Sequence, residues 1–187
     1  DPATITLDGQ PVDAAKSYRV VMNEFLGNGG DGFDLLKQGT DRRIGISPHA
    51  PYTVSPDLLR KLVAESVRRN QPVAMHLAES REELELLADG TGPFQELLDE
   101  RSMWDASAIT PGTRPLDYLR RLAEAPRSLI IHGNYLKGDE LTFIAKNREH
   151  MSLIYCPRSH AYFQHSPYPL EEALARGVRV AIGTDSH

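Results

Sequence analysis

Cysteine, long apolar runs and excess basic charge are all scarce in this sequence. The single cysteine, Cys156, excludes a disulfide framework within the chain, and its place at the end of an apolar run favours a buried residue over a nucleophile. No apolar run approaches the roughly 20 residues that span a bilayer, and the first ten residues lack the pattern of a signal peptide. The net charge of −5, without a basic stripe, argues against nucleic acid. We therefore expect a cytoplasmic protein with no nucleic-acid or membrane partner.

From about residue 43, short apolar runs alternate with amphipathic segments. The runs RIGIS, PVAMH, SLIIH, MSLIYC and VRVAIG have the length and β-branched content of fully buried strands. The intervening segments have helical spacing, and residues 90–115 form a long irregular insertion with one possible helical turn. This alternation predicts an α/β fold built on a parallel sheet, with helices covering both faces or wrapping a barrel.

Two of the amphipathic segments carry clear helix-end signals. The segment SPDLLRKLVAESVRRN has Ser55 as a candidate N-cap and Pro56 at the first helical position. The segment SREELELLADG has Ser80 and Glu83 as a candidate capping box and Gly90 as its end. The first helix is predicted to bury one apolar face, which consists of Leu58, Leu59, Leu62, Val63 and Val67.

Ionisable residues fall where four of the predicted strands end. His49 follows RIGISP, His76 ends PVAMH, His132 ends SLIIH, and Asp185 follows VRVAIGT. The carboxyl ends of parallel strands form the edge where α/β proteins bind ligands, so four such residues in register indicate a site. Imidazole and carboxylate groups are suitable ligands for Zn²⁺ or, alternatively, Fe²⁺. Glu79, three residues after His76, is placed to transfer a proton, although a helix N-terminus also favours such a charge.

Residues 41–187 resemble the amidohydrolase superfamily, in its deaminase and chlorohydrolase branch. The motifs that carry the resemblance are SPHAPYTVS, HLAES, IHGNYL, CPRSHAYF and GTDS, in the order of that family. The resemblance implies a partial (β/α)₈ barrel, similar to a TIM barrel, with a divalent metal at its carboxyl-terminal mouth. It also implies a metal-activated hydroxide that displaces an amine or halide from an aminated purine, pyrimidine or triazine.

The same resemblance implies a role for each matching residue. His76, His132 and Asp185 would be the metal ligands, and Glu79, His132 and Asp185 would be the catalytic residues. His49 lies in the motif that faces the substrate in this family. Ser159 and His160 occupy a stretch that lines the pocket in relatives, and a solvent-exposed loop is an equally plausible reading of that pair.

The family's first strand ends in His-x-His, which supplies two metal ligands, and this sequence contains no His-x-His. An incomplete or non-catalytic amidohydrolase-like domain is therefore an alternative. Self-association through open sheet edges is a further expectation.

Residues 1–40 predict a short β-rich segment of a different kind. ATITLDGQPVD indicates a strand pair around an Asp-Gly turn, SYRVVMNEFL a further strand, and GNGGDGF a tight loop. The pattern Y-R-V…N-x-F-L-x-x-G-G-D-G-F resembles part of the 5′-nucleotidase C-terminal domain, which stacks aromatic side chains on the base. Phe25 and Phe33 are the aromatics available, although core packing is the preferred interpretation for both.

The sequence therefore combines two dissimilar parts that meet near residue 41. A natural fusion, an engineered chimera and a damaged gene model would each explain such a combination. A nucleotide-binding module is thus a third hypothesis.

Overall fold

The computed structural model describes residues 6–7, 10–11, 13, 15–16 and 44–185. The chain divides into two compact units, Asp1–Arg42 and Arg43–His187. In the first unit, strands β1 (Thr6–Leu7) and β2 (Gln10–Pro11) pair antiparallel, as predicted from ATITLDGQPVD. The predicted SYRVVMNEFL strand, the GNGGDGF loop, Phe25 and Phe33 lie outside the described residues.

The second unit contains a four-stranded parallel sheet with its strands in chain order. The strands are β3 (Val73–Leu77), β4 (Ser128–His132), β5 (Met151–Tyr155) and β6 (Val180–Ile182). Each pairs in parallel with the next, and the register places Leu77 opposite His132. Parallel neighbours require a crossover, and helices supply it between successive strands. The predicted α/β class is confirmed, and the fold is part of a (β/α)₈ barrel.

Helices occupy every connection between these strands. The longer ones follow the predicted segments, and the irregular insertion contains a helix of two turns rather than one. Among the described residues the helices are α1 (Pro56–Arg69), α2 (Arg81–Asp89), α3 (Pro93–Glu100), α4 (Pro115–Leu122), α5 (Asp139–Lys146), α6 (Pro157–Tyr162) and α7 (Leu170–Ala175). Within the described part of the chain, no helix has the length and apolarity needed to cross a membrane.

The strand predicted over RIGIS is wrong. Of its described residues, 44–47, only Ile46 pairs, through an isolated parallel bridge to Val73. Ile46 donates its N–H to the Pro72 carbonyl and accepts from the N–H of Ala74, so the segment follows β3 without forming a regular strand. Pro48 has no N–H and therefore cannot extend this ladder.

Burial on α1 also differs from the prediction. Ser55 caps the helix by accepting the Leu58 N–H, as expected. Leu59 is buried, but Leu58 and Val67 are 45% and 51% exposed. The buried stripe instead continues through Val63 to Ser66, whose hydroxyl donates to the Gln71 carbonyl just beyond the helix. A serine can occupy the apolar face because this hydrogen bond satisfies its hydroxyl.

The core lies on one face of the sheet rather than on both. Every second residue along β3 and β4 is buried, whereas the residues between them are only partly buried. The expectation of fully buried strands is thus wrong, because the residues that alternate with the core positions keep part of their surface exposed. The largest fully buried side chains are Met75, Leu77, Leu86, Leu87, Leu119, Leu122, Ile130, Leu136, Leu141, Ile144, Met151 and Leu153.

Candidate metal centre

His76 is held at the carboxyl end of β3 by the backbone of the preceding segment. The His49 carbonyl oxygen lies 2.9 Å from the His76 backbone nitrogen and 2.9 Å from His76 Nδ1. A ring whose Nδ1 donates to a carbonyl leaves Nε2 with a free lone pair. Such an outer hydrogen bond is the usual way in which proteins orient a metal-binding imidazole.

His132 ends β4 with a backbone conformation that few residues adopt. Its φ is +66°, and Gly133 continues with φ +64°. The imidazole is 1% exposed, and the Tyr168 hydroxyl donates to the His132 carbonyl at 2.9 Å. Burial lowers the pKa of His132, an effect that the Asp185 carboxylate partly opposes. The ring is therefore neutral near pH 7, which is the state that can bind a metal.

Asp185 follows β6 and completes a cluster with the two histidines. The His132 Nε2 atom lies 3.9 Å from Asp185 Oδ2, and the Ser159 hydroxyl donates to the same oxygen. His76, His132 and Asp185 each offer a ligand atom, and these atoms all lie within 4.8 Å of one another. Asp185 also has a positive φ, +56°. Two of the three candidate ligands therefore have a left-handed backbone conformation, and strained backbone conformations are concentrated at functional sites.

The donor set of this cluster suits a divalent transition metal. Two imidazoles and one carboxylate are the ligand types that Zn²⁺ and Fe²⁺ accept, and three protein ligands leave a position open. The His132 nitrogen that faces the other donors is Nε2, which lies 3.5 Å from Glu79 Oε1 and 3.9 Å from Asp185 Oδ2. The residues present therefore fit a divalent metal.

Glu79 lies between β3 and α2, with its carboxylate directed at the cluster. Its Oε1 atom is 3.5 Å from His132 Nε2, and its side chain is 23% exposed. Burial raises the pKa of Glu79; the nearby His76 opposes this rise and the Asp185 charge adds to it. A raised pKa brings the carboxyl group closer to the range in which it can both take and release a proton.

The other three predicted site residues, His49, Ser159 and His160, differ in how they contact the cluster. The His49 ring packs 5.2 Å from the His76 ring, and its Nδ1 is hydrogen-bonded to the Thr53 hydroxyl at 2.7 Å. Ser159 contacts Asp185 directly. The His160 Nε2 atom is bonded to the Ser166 carbonyl instead, and it has no hydrogen bond to the cluster among the described residues.

His160 belongs to an aromatic group that sequence reasoning did not identify. Its ring contacts Tyr155, His165 and Tyr168, and Tyr155 stacks on Tyr168 with centroids 3.9 Å apart. This group reaches the cluster because Tyr168 bonds to His132. His165 and Tyr168 lie in a loop segment, FQHSPYPL, with no periodic pattern, so only their proximity in the fold reveals them.

Glu83 is a second residue whose place was not foreseen. The predicted capping box is only half formed, because Ser80 accepts the Glu83 N–H but Glu83 does not bond back to Ser80. Its carboxylate accepts from the backbone N–H groups of Ala78 and Glu79 instead, at 2.8 and 3.0 Å. The sequence signal for this contact was the Ser80-x-x-Glu83 motif, which was interpreted as a helix cap.

A parallel α/β scaffold that gathers imidazole and carboxylate groups at its carboxyl edge is of the kind that supports metal-dependent hydrolysis. An amidohydrolase family model matches residues 31–187, and a model of the 5′-nucleotidase C-terminal domain matches residues 2–38. The chain belongs to the amidohydrolase family, because the first match covers most of its length. Both resemblances read from the sequence motifs are confirmed.

Deaminases are prominent among the similar proteins. The aminodeoxyfutalosine deaminase of Deinococcus radiodurans is 32% identical over 151 residues, which cover 77% of this chain and 36% of that protein. The 5-methylthioadenosine/S-adenosylhomocysteine deaminase of Pyrococcus furiosus is 31% identical over 140 residues, which cover 75% and 28%. The chain thus spans about a third of the length of the curated relatives that it matches.

Solved structures agree on the fold. The aminofutalosine deaminase of Helicobacter pylori, in complex with methylthio-coformycin, has a TM-score of 0.67 at 24% identity, covering 90% of this chain and 40% of that one. An adenosine deaminase from Xanthomonas campestris with bound zinc has a TM-score of 0.57 at 24% identity, covering 87% and 32%. These likenesses establish the fold that the two proteins share with this chain.

Proposed function

We propose that this chain is part of a metal-dependent hydrolase that removes an amine from an aminated heterocycle, with a purine nucleoside as the favoured substrate class. The convergence of His76, His132 and Asp185 at one edge of the sheet, with Glu79 beside them, carries the proposal. The curated relatives named as deaminases of adenosine-like compounds support the substrate class. Zinc is the proposed metal and iron the alternative, and the zinc in the adenosine deaminase neighbour supports that order.

In this proposal His76, His132 and Asp185 hold the metal. A divalent metal in such a site supplies Lewis acidity, which lowers the pKa of water towards about 7. His76 is oriented for the task by the His49 carbonyl, and Ser159 fixes one oxygen of Asp185.

Glu79 is the proposed proton carrier between the attacking water and the leaving amine. Its carboxylate lies close enough to the cluster to accept a proton, and its raised pKa lets it return that proton to the amine as ammonia departs. Asp185 would favour the ionised attacking group by accepting a proton, and the neutral His132, whose Nε2 faces the cluster, would contribute as a ligand. The ring of His49, with Ser159 and His160, is proposed to contact the heterocycle.

Further parts of the proposal concern the whole chain. A 5′-nucleotidase-like segment over residues 1–40 and an amidohydrolase-like portion over 41–187 are the proposed domains, which the two family-model matches support. A cytoplasmic location is proposed because a single cysteine is typical of a reducing compartment. Self-association is proposed through the edge of β6 that has no paired strand among the described residues, because Ile182 there is 70% exposed.

The test combines metal content with turnover. The purified chain is loaded with zinc, dialysed, and assayed for bound metal and for ammonia release from 5-methylthioadenosine. Glu79→Gln should retain the metal and lose turnover by at least about a hundredfold, in the range expected for a proton-transfer group. His76→Ala should lose both metal and turnover. Glu82→Gln, a neighbouring exposed carboxylate, is the matched control and should change neither.

Each contrary outcome points to a different alternative. Loss of metal in Glu79→Gln would mean that Glu79 is a ligand or a structural residue. A wild-type chain that holds no metal and releases no ammonia would support the incomplete or non-catalytic domain. Tight binding of adenosine without metal would support the nucleotide-binding module.

A further inference from the structure

Glu83 is a buried carboxylate whose surroundings require an explanation. Its side chain is fully shielded from solvent, and no ion pair to it is found within the described part of the chain. An ionisable group in such a place is costly unless hydrogen bonds compensate it. The compensation comes from the N–H groups of two consecutive residues, Ala78 and Glu79, each bonded to a different oxygen of Glu83.

These two hydrogen bonds lie where the chain turns from β3 towards the candidate metal centre. Ala78 has a φ of +52°, a left-handed conformation that is unfavourable for a residue with a Cβ atom. That turn directs the next residue, Glu79, towards His132. The Glu79 peptide is also fixed on its other side, because the Asn134 side-chain amide donates to the Glu79 carbonyl at 2.9 Å.

We propose that Glu83 is a positioning residue that sets the direction of the Glu79 carboxylate by holding the N–H groups of Ala78 and Glu79. This inference deepens the proposed function and rests on it, because it takes Glu79 to be the proton carrier. Glu83 touches neither the metal ligands nor the substrate position. It acts through the backbone of Glu79, whose carboxylate lies beside His132.

Helix capping alone does not account for Glu83. The N-terminus of α2 is already capped by Ser80, and a capping-box glutamate would bond to the Ser80 N–H. Glu140 gives the comparison in the next βα unit: it is buried at the start of α5 and accepts the Lys137 N–H at 3.2 Å, outside the candidate metal centre. Glu83 reaches further back along its loop, to the residue that faces the cluster.

The test uses Glu83→Gln, with Glu140→Gln as the matched buried control. A glutamine keeps the shape but presents an NH₂ group to one of the two N–H donors, so one hydrogen bond is lost. Hydrogen exchange at the amide that loses its partner, Ala78 or Glu79, should then be faster by about twofold to tenfold, which corresponds to the net contribution of a typical hydrogen bond. The control should leave exchange at those two amides unchanged.

A second readout follows the direction of Glu79 itself. In the metal-free chain, Glu79→Gln should shift the His132 imidazole ¹⁵N signals, because the two side chains are 3.5 Å apart. In the Glu83→Gln background the same substitution should shift them much less. A merely structural role would not produce this loss of coupling. In an active enzyme, Glu83→Gln should also lower kcat with KM and metal content retained.

Two results would overturn the inference. One is full coupling between Glu79 and His132 in the Glu83→Gln background. The other is unprotected exchange at Ala78 and Glu79 in the wild-type chain, a measurement that does not depend on whether the variant folds. A wild-type chain without metal or turnover would defeat the proposed function, whereas the exchange and imidazole measurements would still decide the role of Glu83.

Discussion

Gly133, directly after the candidate ligand His132, offers a sharp test of how this edge of the sheet is packed. A Cβ atom built on Gly133 would lie 2.5 Å from Leu153 Cδ1 and 3.0 Å from Leu136 Cδ1. Both leucines are essentially fully buried and have little room to move. The φ of +64° adds a backbone cost for any residue with a side chain.

These two effects set the expected size of the change in Gly133→Ala. A left-handed alanine costs about 1–2 kcal/mol, and overpacking of a filled core costs about 1–3 kcal/mol. The free energy of unfolding should therefore fall by about 2–5 kcal/mol, which is a large part of the stability of a typical domain. Gly90→Ala is the matched control, because Gly90 has a φ of +71° and its added Cβ would make only an ordinary contact, 3.5 Å from Pro111. It should show only the backbone cost, about 1–2 kcal/mol.

Urea unfolding followed by circular dichroism measures both variants, and a double-mutant cycle with Leu153→Ala isolates the clash. Leu153→Ala should cost less in the Gly133→Ala background than alone, by about 1–2 kcal/mol, since the colliding atom has been removed. Equal losses in Gly133→Ala and Gly90→Ala, or strict additivity with Leu153→Ala, would refute the packing argument and leave only the backbone cost.

Three further outcomes follow from the described residues. Ser55→Ala should lower the free energy of unfolding by about 1 kcal/mol, measured by urea titration, because it removes the N-cap of α1. Burial holds the pKa of His132 below its value in the unfolded chain, so the unfolded state binds the extra proton more readily. The His132 contribution to stability should be complete above about pH 6.5 and be lost progressively as the pH falls, and His132→Gln should show a flatter profile below pH 6.5. Burial raises the pKa of Cys156 to about 11, so iodoacetamide at pH 7 should label it only after unfolding; rapid labelling of the native chain would contradict its burial.

Local sequence patterns anticipated the strands and helices that obey simple rules. Runs such as SLIIH became strands because β-branched residues suit a pleated, buried surface, and α1 began at Ser55 because its hydroxyl satisfies a free N–H. RIGIS has the same composition as a strand but did not become one, since the following Pro48 cannot donate to a neighbouring strand. The apolar face of α1 was misassigned because burial depends on what packs against the helix, and periodicity alone does not reveal that.

The order of the residues places ionisable side chains at the ends of the predicted strands. Parallel strands bring their carboxyl ends to one edge, so the grouping of His76, His132 and Asp185 could be expected from their order. The contacts that hold those groups in place could not be read from that order. The His49 carbonyl on His76 and the Tyr168 hydroxyl on His132 come from contacts between segments that are far apart in the chain. No residue spacing encodes such contacts, because they arise from the path of the backbone in three dimensions.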